Sequence, residues 1–218
     1  MLCIGSSVNL SPPSIQNLND QGSEMPRESE VSAGAKGQTS TLRPLLSEFP
    51  NRALSMPIDE QIYKDIMSRH PSGVTVVTTG EPVSRATGLT VNAFCTVSLH
   101  PPRLLVVVDK QSQTLQPLLE NKAFTVSLLV AGAEDLAMHF ASKDPDKFAE
   151  LPPDSYTELA SGPALVADST AYFECRSVQE IEAGDHWILL GAVERGKILS
   201  DDEPLLYSER RFRRMVPV

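Results

Sequence analysis

Cysteine is scarce, positive charge is in deficit, and long apolar runs are missing. The 218 residues contain 3 cysteines, Cys3, Cys95 and Cys175. Their number is odd and their spacing wide, so no CxxC or Cys/His cluster suggests zinc or iron–sulfur. Reduced thiols in a cytoplasmic setting are the expectation. No apolar stretch approaches the roughly 20 residues that span a bilayer; the longest, Leu104 to Val108, is strand-sized. Met1 to Ser7 lacks the basic and long apolar regions of a secretory signal, and Asp20, Glu24, Glu28 and Glu30 speak against a mitochondrial presequence. Lys and Arg number 19 against 28 Asp and Glu, a formal net charge of −9. That balance argues against a general nucleic-acid binder, whose surface must be basic, and favours solubility. A local positive field at a site remains compatible with it, so an anionic ligand is not excluded. Several reaction templates are absent too: no GxSxG elbow, no HExxH, no Walker loop and no GxGxxG after a strand.

What is present changes character near residue 56. Before it the chain is rich in Ser, Pro, Asn and Gly without sustained periodicity. Such a segment buries too little apolar surface to offset its ordering entropy, so residues 1–55 read as a mostly disordered extension and 56–218 as the folded domain. Pro57 suits a first helical position, with Ile58, Ile62 and Ile66 at i, i+4 and i+8 and His70, Pro71 and Gly73 ending the helix. The period then shortens. Val74–Thr79 is β-branched and reads as a strand, followed by a turn at Gly80–Pro82. Residues 86–99 read as one longer strand, interrupted or bulged near Asn92, with Pro101 and Pro102 as a breaker. Strands follow at Arg103–Asp109 and Ala123–Val130, and short helices at Leu115–Asn121 and Glu134–Phe140. Residues 142–169 look irregular. Ala171–Glu182 and His186–Leu199 form a hairpin joined at Ala183, Gly184 and Asp185. Five to seven strands without βαβ alternation argue against a doubly wound sheet and favour a closed or half-closed antiparallel barrel, which removes exposed edges.

Four places carry small or polar residues beside breakers. The first is Gly88–Ser98 ahead of the two prolines. The second is the turn Lys110–Thr114, where Ser112 and Thr114 either cap the next helix or offer hydroxyl and backbone N–H groups to an anion. The third is Phe140–Asp144, where Lys143 either answers the helix dipole or meets a ligand. The fourth is Gly184-Asp185-His186, where the histidine is either an ordinary strand-end residue or a contact to a second ligand.

In this order and spacing the four resemble the flavin reductase family with the FMN-binding split-barrel fold, the reductase components of two-component monooxygenases. The matching text runs "HPSGVTVVTT", "GLTVNAFCTVSLHPPRLLVVVDKQSQTL", "AMHFASKDPDKF" and "LLYSERRFRR", within about residues 60–215. The resemblance implies a mainly β, six-stranded antiparallel split β-barrel, Greek-key-like, assembled as a homodimer with flavin near the subunit interface. It implies NADH- or NADPH-dependent reduction of FMN or FAD, with reduced flavin passed to a partner monooxygenase by diffusion, and no nucleic-acid or membrane partner. Carried over by motif, Thr90, Asn92, Ala93 and Thr96 line the isoalloxazine, with Val91 and Ser98 in the same block. Ser112, Thr114 and Lys143 meet the phosphate-bearing side, with Gln113, Phe140 and Ser142 beside them. His186 stands near the nicotinamide as the catalytic candidate, and Tyr207 and Arg211 are weaker nucleotide contacts. Hydride transfer between the two rings belongs to the cofactors and needs no general base, which fits the missing triads. Two other readings stay open: a flavin-binding module or sensor without catalysis, and a split-barrel oxidoreductase that keeps its FMN and acts on its own small substrate.

Overall fold

The computed structural model describes residues 58–216, so the expectation of a disordered 1–55 extension lies outside the described residues. The first element, α1 (Glu60–Ser68), starts later than the Pro57 signal implied. Asp59 is its N-cap and accepts from the backbone N–H groups of Gln61 and Ile62. None of its residues is buried, and Ile62 and Ile66 are 54% and 55% exposed. The periodic apolar stripe is real but faces away from this chain's own core.

Strands follow in the order β1 (Ser72–Gly73), β2 (Thr75–Thr79), β3 (Thr87–Val91), β4 (Phe94–Leu99) and β5 (Pro102–Asp109). Next come α2 (Leu115–Asn121), β6 (Ala123–Leu129) and α3 (Glu134–Ala141). The region expected to be irregular holds a small pair, β7 (Tyr156–Thr157) and β8 (Ala164–Leu165). The long hairpin is β9 (Ser169–Ala183) and β10 (His186–Ile198), joined by Gly184 and Asp185 alone; Gly184 has φ +63°, a turn conformation that favours glycine. A terminal hairpin, β11 (Leu206–Ser208) and β12 (Arg211–Arg213), pairs with β1 through β11; its strands were not expected, although Tyr207 and Arg211 within it were candidate contacts.

The main sheet has seven antiparallel strands in the order β3-β2-β6-β9-β10-β5-β4. The six-strand expectation is therefore corrected to seven, and the ladder does not close. The single strand expected over 86–99 is two strands, and they form the opposite edges of this sheet. Laid flat, seven strands would hold their edges about 29 Å apart at roughly 4.8 Å per neighbour. Only Asn92 and Ala93 join β3 to β4, a reach of at most about 11 Å. The sheet must therefore curl on itself, and Ala93 O accepts from Val107 N across the corner at 3.0 Å.

The curl gives two cores, one on each face of β2, whose five residues are all buried. Inside it pack Val77, Val91, Leu104, Val106, Phe124, Val126 and Leu189. Outside it, Val74, Val76, Leu129, Ala137, Phe140, Phe148 and Leu165 pack under α3 and the following loops. Buried threonines on β2 spend their hydroxyls on carbonyls, Thr75 on Val91 and Thr78 on Pro163, each at 2.7 Å. No helix among the described residues is long and apolar enough to cross a membrane.

Candidate active site

Three segments far apart in the chain meet in one cleft. They are the start of β3, the turn between β5 and α2, and the end of α3 with the loop after it. The cleft has a volume of about 340 Å³ and is lined by Thr90, Ser112, Gln113, Thr114, Phe140, Ser142 and Lys143, with Asp109 and Lys147. Seven of the residues singled out in the sequence are therefore brought together. Phe140, 1% exposed, forms the apolar floor and meets Phe148 edge-on at 5.5 Å. Gly88 makes that floor possible, since a Cβ there would stand 2.9 Å from the Phe140 ring.

The hydroxyls divide into spent and unspent. Thr114 is the N-cap of α2 but makes no side-chain capping bond; its Oγ1 donates instead to Gly88 O at 3.1 Å, tying the turn to β3. Thr90 Oγ1 donates to Ala137 O at 2.5 Å and ties β3 to α3. Ser142 Oγ donates to His139 O at 2.7 Å and accepts from Lys147 Nζ at 2.9 Å. A hydroxyl has one proton, so these three cannot also donate to a ligand while these bonds stand. Ser112 differs: its Oγ accepts from Thr114 N at 3.3 Å, and its proton has no acceptor among the described hydrogen bonds. Lys143 is exposed at the cleft and makes no hydrogen bond or ion pair among the described residues. Lys147 was missed in the sequence; it is 3% exposed, and burial pushes its ammonium below the usual lysine range. The signal that could have found it is a second lysine beside a core aromatic, Phe148, just after a helix end.

Other residues carried over by motif lie elsewhere. Asn92, Ala93 and Tyr207 line a second, mainly apolar cavity of about 660 Å³, together with Met67, Cys95, Leu105 and Val107. Burial pushes the Tyr207 phenol up. Val91 points into the inner core. Thr96 is exposed and Ser98 half-buried on the edge strand β4, outside both cavities, and Arg211 is exposed on β12. His186 is not a free rim residue. Its side chain is only 11% exposed, and Nδ1 lies 2.6 Å from Asp185 Oδ1. That hydrogen bond holds the Asp185 carboxyl below the usual carboxylate range. His186 pairs in register with Asp109 on β5, a residue that itself lines the cleft.

The family model for the flavin reductase-like domain matches residues 67–215. The chain belongs to that family. Among curated relatives, a flavin reductase (NADH) of Kitasatospora aureofaciens is 38% identical over 176 residues, covering 76% of this chain and 91% of the relative. Among solved structures, the NADH:FAD oxidoreductase SgcE6 of Streptomyces globisporus C-1027 is 37% identical at a TM-score of 0.67, covering 74% of this chain and 96% of that one. It has also been solved with NAD and FAD fragments. BorF, the flavin reductase component of a bacterial two-component tryptophan halogenase, is 31% identical at a TM-score of 0.66, covering 73% and 100%.

The donors of the cleft fit a ligand with an apolar ring system and a phosphate. An unpaired ammonium at Lys143 and an unspent hydroxyl at Ser112 stand beside the phenyl floor of Phe140. Charge-assisted contacts of this kind are the strong ones for phosphate oxygens.

Proposed function

We propose that this chain is an NADH-dependent flavin reductase that reduces FMN or FAD and releases the reduced flavin to a partner monooxygenase. The observation that carries the reading is the cleft itself. Three distant segments converge on it and, among the described residues, they leave the Lys143 ammonium and the Ser112 hydroxyl proton uncommitted over an aromatic floor. Membership of the family and the NADH-linked names of the relatives support it. Bound flavin supplies the hydride acceptor and the nicotinamide the donor, so the protein's task is alignment and charge. Lys143 and Ser112 hold the phosphate. The Thr114–Gly88 and Thr90–Ala137 bonds keep the walls of the cleft at a fixed separation. Phe140 excludes water from below, and His186, oriented by Asp185, positions the nicotinamide.

We read the curled sheet as the split barrel of the family and residues 56–218 as its domain. We propose a homodimer as well. On the outer face of the sheet, Leu105 and Val107 of β5 stand in register with Leu190 and Ile188 of β10, all half-buried. The neighbouring α1 exposes Ile62, Ile66 and Met67. A second copy covering these apolar surfaces would also enclose the cavity that holds Asn92 and Ala93. The net charge and the cysteine inventory support a cytoplasmic site of action.

The test is NADH oxidation by purified protein with FMN, FAD and riboflavin added in turn. Preparations that are nearly colourless and consume NADH only when flavin is supplied support the reading. A yellow preparation that consumes none sinks it.

A further inference from the structure

The loop after α3 is closed by a ring of bonds centred on one buried lysine. Lys147 Nζ donates to His139 O at 2.9 Å, to Ser142 O at 2.6 Å and to Ser142 Oγ at 2.9 Å. Three acceptors match the three N–H bonds of an ammonium. The two carbonyls belong to the last turn and the C-cap of α3, where unsatisfied C=O groups carry partial negative charge. In return, His139 Nε2 bonds Lys147 O at 2.7 Å. Each residue thus uses its side chain on the other's backbone, and Phe148 anchors the far end of the loop in the outer core. No carboxylate makes a direct ion pair with Lys147 among the described residues; the helix-end carbonyls and the nearby Asp144 carboxylate, which also lines the cleft, favour the charge that burial opposes. Lys143 lies inside this closed segment, one residue after Ser142, and Lys147 itself lines the cleft.

We propose that Lys147 is a positioning residue for phosphate recognition: it pins the loop to the end of α3, which aims Lys143 into the cleft, and it adds a second positive charge behind the phosphate. Ser142, whose hydroxyl is consumed inside the ring, serves Lys147 and not the ligand. The inference rests on reading this cleft as the phosphate side of a flavin site.

The experiment compares FMN with riboflavin, which lacks the phosphate, by fluorescence titration of the full-length protein, with thermal unfolding measured in parallel. For the parent, FMN should bind at least tenfold more tightly than riboflavin. Lys147→Met should abolish most of that preference by raising the FMN Kd about tenfold, as expected when a charge-assisted arrangement is lost. Its riboflavin Kd should stay within about twofold. Lys147→Arg, which keeps the charge, should recover part of the preference. Ser142→Ala should leave it within about threefold, since the Ser142 backbone carbonyl still holds Lys147, and this arm decides alone should Lys147→Met give no folded protein. A Lys147→Met protein that keeps the full preference overturns the inference, as does a Ser142→Ala protein that loses tenfold for FMN only. A parent that binds FMN and riboflavin equally would instead overturn the phosphate reading of the cleft.

Discussion

Asp185→Ala tests how the nicotinamide is positioned, because it releases the His186 ring without removing it. Nδ1 of His186 lies 2.6 Å from Asp185 Oδ1, but the carboxylate side chain is 90% exposed and the ring side chain 11%. A pair with one fully solvated partner contributes about 0–1 kcal/mol to stability, so the melting temperature should move by no more than about 4 °C. The kinetic effect is set by a different quantity. A ring bonded to Asp185 and carried on a strand paired on both sides, at Asp109 and at Ala183, keeps a fixed edge toward a second ligand. Losing that orientation costs about 1 kcal/mol, roughly fivefold in the rate of flavin reduction, and His186→Ala, which removes the edge, costs about 1–3 kcal/mol, up to roughly a hundredfold. Stopped-flow reduction of bound flavin across a range of NADH concentrations measures both variants, and fluorescence titration measures flavin affinity, which should stay within about twofold. If both variants reduce flavin at the parent rate at every NADH concentration, His186 is a turn residue with no part in the reaction. If flavin affinity falls in step with the rate, its partner is the flavin and not the nicotinamide.

Lys143→Ala should raise the Kd for FMN about tenfold and leave that for riboflavin nearly unchanged, the loss of one charge-assisted contact; equal losses for both would make Lys143 merely structural. Gly162 has φ +123°, and a Cβ there would lie 2.7 Å from the Thr78 backbone. Gly162→Ala should therefore destabilise the fold by about 2–4 kcal/mol in urea unfolding, through dihedral strain plus a clash that β2 cannot relieve; a variant within about 0.5 kcal/mol of the parent would refute this. Burial, with Glu194 and Glu174 adding to it, pushes the Cys175 thiol up to about 12, whereas Cys95 is exposed. In a Cys3→Ser background at about pH 8, a thiol reagent should modify Cys95 and spare Cys175 until the protein is unfolded; two fast-reacting thiols in the native protein would contradict it.

Local chemistry in the chain was enough to place most elements. The β-branched run of β2, the apolar run of β5, the helices α2 and α3, and the β9–β10 hairpin all stand where composition and breakers put them, with Ala183, expected in the turn, ending β9 instead. The resemblance to the flavin reductase family, carried over by motif, also named seven of the residues that line the cleft. Propensity alone did not reveal that residues 86–99 form two strands at opposite edges of the sheet, because both halves have the same β-forming composition and only the pairing partners differ. Nor did it reveal that the α1 stripe faces outward, since a periodic apolar face looks the same whether it meets its own core or another surface. The hydroxyls are the sharpest case. Thr90, Ser112, Thr114 and Ser142 are chemically alike in the sequence, but each has one proton; the acceptors of Thr90 and Thr114 lie on other elements, and that of Ser142 in the last turn of α3. Distances between β3, the α2 turn and α3 give the protons of Thr90 and Thr114 to Ala137 and Gly88, the end of α3 gives that of Ser142 to His139, and that of Ser112 is left unspent among the described residues. The sequence by itself thus determined which residue types reach the cleft. Only the tertiary structure decided which of them remain able to hold a ligand, because a hydrogen-bond donor is used once and, for Thr90 and Thr114, its use is set by contacts between segments distant in the chain.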